Sequence, residues 1–131
     1  MSSFFINAPD AVIIIDNQSL IYKWNPKAEE IFGWKAEEVL GNNLTETIIP
    51  KQFREAHKMG MAHYLATGHG PVINNAIEVT ALRKNSQEFP ILLSISQTAI
   101  NEEKYFIGFI NDISERKKAE DALKESERKF R

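Results

Sequence analysis

Asn25-Pro26-Lys27-Ala28-Glu29-Glu30-Ile31-Phe32-Gly33-Trp34 opens and closes a short helix within ten residues. Asparagine before proline places a capping side chain next to a residue that has no N–H to satisfy, which is how a helix opens. Ala28, Ile31 and Phe32 then recur at helical spacing on one face, and Gly33 stops the run. A second short helix, Lys35–Leu40, ends at Gly41 in the same way. Helices this short and one-sided must lie on an apolar surface supplied by the rest of the chain.

That surface is found on either side. Upstream, Ala11-Val12-Ile13-Ile14-Ile15 is short, β-branched and stopped by Asp16-Asn17-Gln18-Ser19, so it reads as a buried strand with Leu20–Trp24 as its hairpin partner. Downstream, Pro50 opens a longer helix over Lys51–Ala66, closed by the turn Thr67-Gly68-His69-Gly70. Three more strands follow: Ile77–Arg83, Phe89–Thr98 and Tyr105–Asn111. Pro90 cannot donate to a ladder, so it marks an edge or the beginning of its strand. Two strands, then helices, then three strands predict an α+β domain, with one five-stranded antiparallel sheet and its helices on one face.

Composition narrows the functions available. With 131 residues and 43% apolar content, the chain can build one real core. A net charge of −2 with interspersed signs gives no footprint for nucleic acid. The absence of cysteine removes disulfides, thiolate catalysis and cysteine-held metals. No apolar run approaches membrane-spanning length and the N-terminus has no signal-peptide pattern, so cytoplasmic residence is the expectation. Glu29-Glu30 and Glu37-Glu38 are adjacent pairs, which do not converge on a helix, and they read as solvated faces rather than as acid and base. No nucleophile–base pair, phosphate loop or metal cluster is present, and the chain is not expected to be an enzyme.

Taken together, the helical stretch above, Glu37-Glu38-Val39-Leu40-Gly41, and the closing Phe106-Ile107-Gly108-Phe109-Ile110-Asn111-Asp112-Ile113-Ser114-Glu115-Arg116-Lys117 resemble PAS domains. The resemblance runs from Pro9 to Lys117. It implies a sensor module: a pocket between sheet and helices, sometimes holding a cofactor, coupled to an effector through the exit helix; the alternative is a cofactor-free PAS domain acting only as a dimerisation and spacer element. The boundary is expected as a sensor domain over 1–113 and a linker helix over 114–131. The last residues, Glu125–Arg131, resemble the lead-in to another PAS domain, and the effector, such as a histidine kinase or a cyclic-dinucleotide enzyme, would lie downstream.

His57 is the leading site candidate. Phe53, His57, Met61 and Tyr64 share one helix face, with Gly60 beside them leaving room for a ligand. A neutral imidazole facing an apolar cavity is what an axial haem ligand requires. From His57 to Asp112 the chain resembles the haem PAS domains of oxygen-sensing histidine kinases. That resemblance puts His57 on their proximal ligand, and Leu93, Ile95 and Gly108 on the gas side. Ile77 stands where those sensors have an arginine. The competing reading, a core histidine hydrogen-bonded to a neighbour, is the more common fate of such a residue and is preferred; haem stays open. His63 and His69 are expected in solvent. Flavin photoadduct chemistry is excluded without cysteine, and Trp24, Trp34 and Tyr64 read as core aromatics rather than a stacking platform.

The remaining expectations concern the sheet faces and the exit helix. Ile77, Val79, Leu93, Ile95, Phe106, Gly108 and Ile110 should face inward opposite His57, with Tyr105, Ile107 and Phe109 outward. Asp112 should cap the exit helix, with Glu115 reaching back and Arg116 pairing with Asp112 at i, i+4. The relay should run through Asp112, Ile113, Arg116 and Leu123. Arg116, Ala119, Leu123, Ser126 and Phe130 follow a short, half-polar heptad seam, which suggests a parallel homodimer helped by the outer sheet face.

Overall fold

A computed structural model describes residues 8–68 and 75–129. Five strands form one antiparallel sheet in the order β2-β1-β5-β4-β3. They are β1 (Ala11–Asp16), β2 (Ile21–Trp24), β3 (Ile77–Leu82), β4 (Glu88–Ile100) and β5 (Glu103–Asp112). Between β2 and β3 lie α1 (Pro26–Phe32), α2 (Ala36–Val39), α3 (Leu44–Ile48), a 3₁₀ turn at Lys51–Phe53 and α4 (Arg54–Thr67). The exit helix α5 spans Ser114–Lys129. This is the α+β arrangement expected, and β5 pairs with β1 from Ala11–Ile110 to Asp16–Tyr105.

Local chemistry explains the element ends. The Asn25 side chain accepts from the Ala28 N–H and also from the Val12 N–H, so the cap of α1 fastens it to β1. Gly33 ends α1 at φ +84°, a left-handed conformation open to glycine. Ala28, Ile31 and Phe32 are buried, as their spacing predicts. Strands β4 and β5 run beyond their predicted ends because Asn101 and Glu102 both take positive φ, as a tight hairpin turn demands. Pro90 stands just outside the β4–β5 ladder, which starts at Ile91–Asp112.

Two element bounds shift and one element is new. Leu20 makes only an isolated bridge to Asn43, so β2 begins at Ile21. The long helix starts at Arg54, because the first residues after Pro50 wind as a 3₁₀ turn. The segment Leu44–Ile48, to which the sequence reading assigned no element, is a helical turn capped by Asn43, whose side chain accepts from the Thr45 N–H.

The core lies between the sheet and α1–α3, where Trp24, Phe32, Val39, Phe89 and Phe106 are buried. Trp24 and Phe32 are tilted at 5.6 Å, and Phe32 meets Phe89 edge-on at 5.7 Å. The core does not extend evenly under α4. Of its 14 residues only Tyr64 is buried. Helix α4 therefore stands off from the sheet.

Candidate functional site

The gap between α4 and the sheet is a cavity of about 660 Å³. That lies within the range of ordinary small-molecule sites. Its roof is the His57, Gly60, Met61 and Tyr64 face of α4, and its floor is the inner face of β3, β4 and β5. Ile77, Leu93, Ile95 and Gly108 line the floor, so every residue expected at the pocket from sequence faces this one space. Alternation puts Leu92 and Ser94 on the opposite side.

The walls are hollow by residue choice rather than by necessity. A Cβ added at Gly60 would meet nothing within 4 Å. One added at Gly108 would meet the Ile13 carbonyl oxygen at 3.7 Å and Leu93 Cδ1 at 3.8 Å, ordinary contact distances. At one end, the Tyr64 hydroxyl donates to Gln97 Oε1, and its ring packs edge-on to Phe106 at 5.4 Å. Sequence reading missed the wall supplied by Leu44, Ile48 and Ile49, because it missed α3. The capping Asn43 and the i, i+4 pair Leu44/Ile48 were the available signal.

His57 puts a polar ring into the roof of this largely apolar space. Its Nε2 is buried and has no hydrogen-bond partner among the described residues. Burial lowers its pKa below the ordinary 6.5, so the ring is neutral at physiological pH. A core histidine satisfied by a neighbour, the preferred reading from sequence, is thus not what Nε2 displays. Trp34 Nε1 is likewise unpartnered among the described residues, but it does not line the cavity. Trp24 is core, with its Nε1 donating to the Trp34 carbonyl at 3.0 Å. His63 is exposed, as expected, and His69 lies outside the described residues. The described residues contain no cluster of three or more metal-ligating side chains.

The exit junction differs from its expected wiring. Helix α5 begins at Ser114, two residues after Asp112, so Asp112 accepts from the Ser114 N–H at 2.9 Å and from its hydroxyl. Glu115 does not reach back; its neighbour is Lys118. Asp112 Oδ2 pairs with Arg83 at 2.9 Å rather than with Arg116. Arg83 also donates to the Ile31 carbonyl at 2.6 Å and lies 3.7 Å over the Phe89 ring, tying α1 and β4 to the junction. Burial works to raise the Asp112 pKa, but the Ser114 and Arg83 hydrogen bonds outweigh it and hold the carboxyl below its usual value. Ile113 is buried. Arg116 pairs with Glu78 on β3, and Lys117 Nζ sits 2.9 Å from the same carboxylate. Arg116 is therefore turned towards the sheet instead of a helical seam. Leu123 is 61% exposed, and Phe130 lies outside the described residues.

A family model for PAS domains matches residues 9–115. The chain belongs to the PAS domain family. Among curated proteins, this PAS domain is 31% identical over 125 residues to the sensor protein FixL of Bradyrhizobium diazoefficiens, covering 95% of this chain and 25% of that protein. It is 29% identical over 108 residues to the oxygen sensor protein DosP of Escherichia coli, covering 82% of this chain and 13% of DosP. The chain thus spans a quarter or less of these relatives. Among solved structures, a PAS domain from Colwellia psychrerythraea superposes with a TM-score of 0.71 at 17% identity, over 86% of this chain and 92% of that one. The PAS domain of the Cronobacter turicensis quorum-sensing receptor RpfR, solved in complex with BDSF, gives a TM-score of 0.61 at 19% identity, over 81% and 95%. As a PAS domain the chain is a sensory module. No helix among the described residues is long and apolar enough to cross a membrane.

Proposed function

We propose that this PAS domain senses a small, neutral and largely apolar molecule in the cavity under α4 and relays its presence through α5 to an effector elsewhere in a longer polypeptide. The observation that carries the reading is the cavity of about 660 Å³, lined mainly by apolar side chains, with the neutral imidazole of His57 in its roof. A buried polar group without a partner costs about 1–3 kcal/mol. An occupant that turns the His57 ring enough to reach its buried Nε2 recovers that cost and fills the void beneath a helix anchored by one buried side chain. An anionic ligand would find no counter-charge: no lysine or arginine is on the described wall. That the RpfR PAS domain, which has the same fold, was solved in complex with BDSF supports ligand binding by a domain of this fold.

The test is the urea midpoint of the purified chain, taken against indole, other neutral apolar compounds and dicarboxylates. A binder at a hundred times its dissociation constant adds about 2.7 kcal/mol. The gain should come from neutral apolar compounds and vanish in Leu93→Trp, which fills the floor. A response to dicarboxylates alone, or to nothing, would overturn the proposal.

One specific ligand has an observation of its own. Haem iron needs a neutral imidazole with a free nitrogen, which His57 offers, and apolar walls suit the macrocycle. In this reading His57 would hold the group, Ile77, Leu93, Ile95 and Gly108 would line the wall across from it, and haem would supply a gas-binding iron. Ile77 makes no polar contact to bound gas or propionate, so the sheet side would act through shape alone. The likeness to the oxygen sensor DosP supports this second reading. A Soret band that forms on adding haemin and is lost in His57→Ala is expected; an unshifted haemin spectrum sinks it.

The domain division at residue 113, cytoplasmic residence and a parallel homodimer belong to the same proposal. Tyr105, Ile107 and Phe109 are half-buried on the outer side of β5, and Leu123 is open on α5. Sedimentation should report a dimer that Ile107→Asp weakens more than Leu123→Asp; a monomer at high concentration would remove this part.

A further inference from the structure

We infer that Glu78 is the residue that couples the cavity to the exit helix: a charge latch on the back of the cavity floor. The inference rests on reading the cavity as the sensing site. Its geometry is that of a single strand. Among the described residues, strand β3 is the edge of the sheet and pairs only with β4. Ile77 and Val79 turn their side chains into the cavity. Glu78, between them, points to the other face by the alternation of a strand. There one carboxylate oxygen takes the Arg116 guanidinium and the other takes the Lys117 ammonium at 2.9 Å. A displacement of β3 that makes room for an occupant therefore moves the group that holds the first turns of α5.

The latch has somewhere to go when it opens. Glu120, one turn along α5, already stands 3.6 Å from Arg116 and 3.9 Å from Lys117. Both cations can therefore leave Glu78 and keep an acidic partner on their own helix, at the i, i+4 and i, i+3 spacings that suit such pairs. At the root, by contrast, buried Ile113 and the Arg83–Asp112 pair fix the chain. The result is a helix pinned at Asp112–Ile113 and held against β3 by exposed pairs. Each exposed pair is weak, shifting an equilibrium about two- to five-fold. Weakness suits the task, because a ligand moves a two-state element only by its differential affinity for the two states. The Glu78 carboxyl lies below its ordinary pKa, chiefly through the hydrogen bond from Lys117, and Lys117 lies above its own through the same contact. Both stay charged across the physiological range, so cavity occupancy rather than pH governs the latch.

The experiment reads amide exchange along α5 in the full chain and needs no identified ligand. Leu93→Trp crowds the cavity floor directly opposite Ile77, its registered neighbour on β3. Glu78→Gln removes the latch charge at nearly constant shape. Glu78→Gln should speed exchange in the first turns of α5 by about five-fold, as loss of two exposed pairs implies. Leu93→Trp should speed the same amides in the wild-type background and have no further effect in Glu78→Gln. Inverting all four charges together (E78R, R116E, K117E, E120K) should restore both slow exchange and the response to Leu93→Trp. Unchanged α5 exchange in Glu78→Gln, or an equal response to Leu93→Trp with and without Glu78, overturns the latch. Failure of every compound to bind would instead remove the sensing reading and leave these exchange results standing.

Discussion

Tyr64 is the only buried side chain on α4, so the roof of the cavity should depend on it more than on any other residue of that helix. Two substitutions separate its contributions. Tyr64→Phe removes only the hydrogen bond to Gln97, whose side chain is exposed and can turn to water. The cost should sit at the low end of a neutral hydrogen bond, about 0.5 kcal/mol. Tyr64→Ala removes the ring as well, with its edge-on contact to Phe106. Truncating a buried aromatic costs about 3–5 kcal/mol. Here the void opens into an existing cavity that water can enter, so about 3 kcal/mol is expected. Equilibrium urea unfolding gives both values. Hydrogen exchange then locates them: α4 should lose protection in Tyr64→Ala while β1, β4 and β5 keep theirs relative to global stability. A loss below about 1 kcal/mol in Tyr64→Ala, or an α4 that exchanges as in the wild type, would refute the claim that one side chain anchors this helix.

His57→Leu should leave the ligand-free protein at least as stable, by up to about 1 kcal/mol, since it removes an unpaired buried nitrogen; in urea, a loss beyond about 1 kcal/mol would mean that the nitrogen has a partner. Burial depresses the folded pKa of His57, so below 6.5 the unfolded chain takes up a proton that the folded chain resists. Its contribution is complete above 6.5 and falls as pH drops towards the folded value, and urea midpoints at successive pH values should show a shallower slope in His57→Leu. Asp112 is also held below its ordinary 3.8, so its contribution is present above that value and fades only as acid passes its folded pKa. Asp112→Asn should cost about 1 kcal/mol near neutral pH and less in acid; an equal loss at both would show that charge is not the cause.

Much of the fold was legible because its punctuation is local. Asn25-Pro26 and Gly33 bound α1 by their own backbone chemistry, and the polar turns between apolar runs separate the strands. Helical spacing likewise put His57, Met61 and Tyr64 on one face, and strand alternation grouped Leu93 with Ile95. What escaped the reading was non-local or too short. Helix α3 is a single turn, with one i, i+4 apolar pair to announce it. The exit junction was misread because Arg116 has acceptable local partners in both Asp112 and a heptad seam. The pair it makes, with Glu78, spans 38 residues of sequence and depends on β3 being the neighbouring edge. Arg83 was passed over for the same reason: its contacts to Ile31 and Asp112 exist only once the sheet has formed. The orphaned state of His57 Nε2 is also a tertiary fact, since spacing gives the face but not which groups cover the nitrogen.

If the space under α4 is built to be occupied, native mass spectrometry of the chain purified gently from its own cells should find the occupant. Wild-type protein should carry an additional small mass that is released on denaturation, and Leu93→Trp purified alongside should carry none. If both emerge at the bare chain mass, and neither gains mass after incubation with the small-molecule extract of the same cells, the cavity is not a ligand site and the sensing account fails.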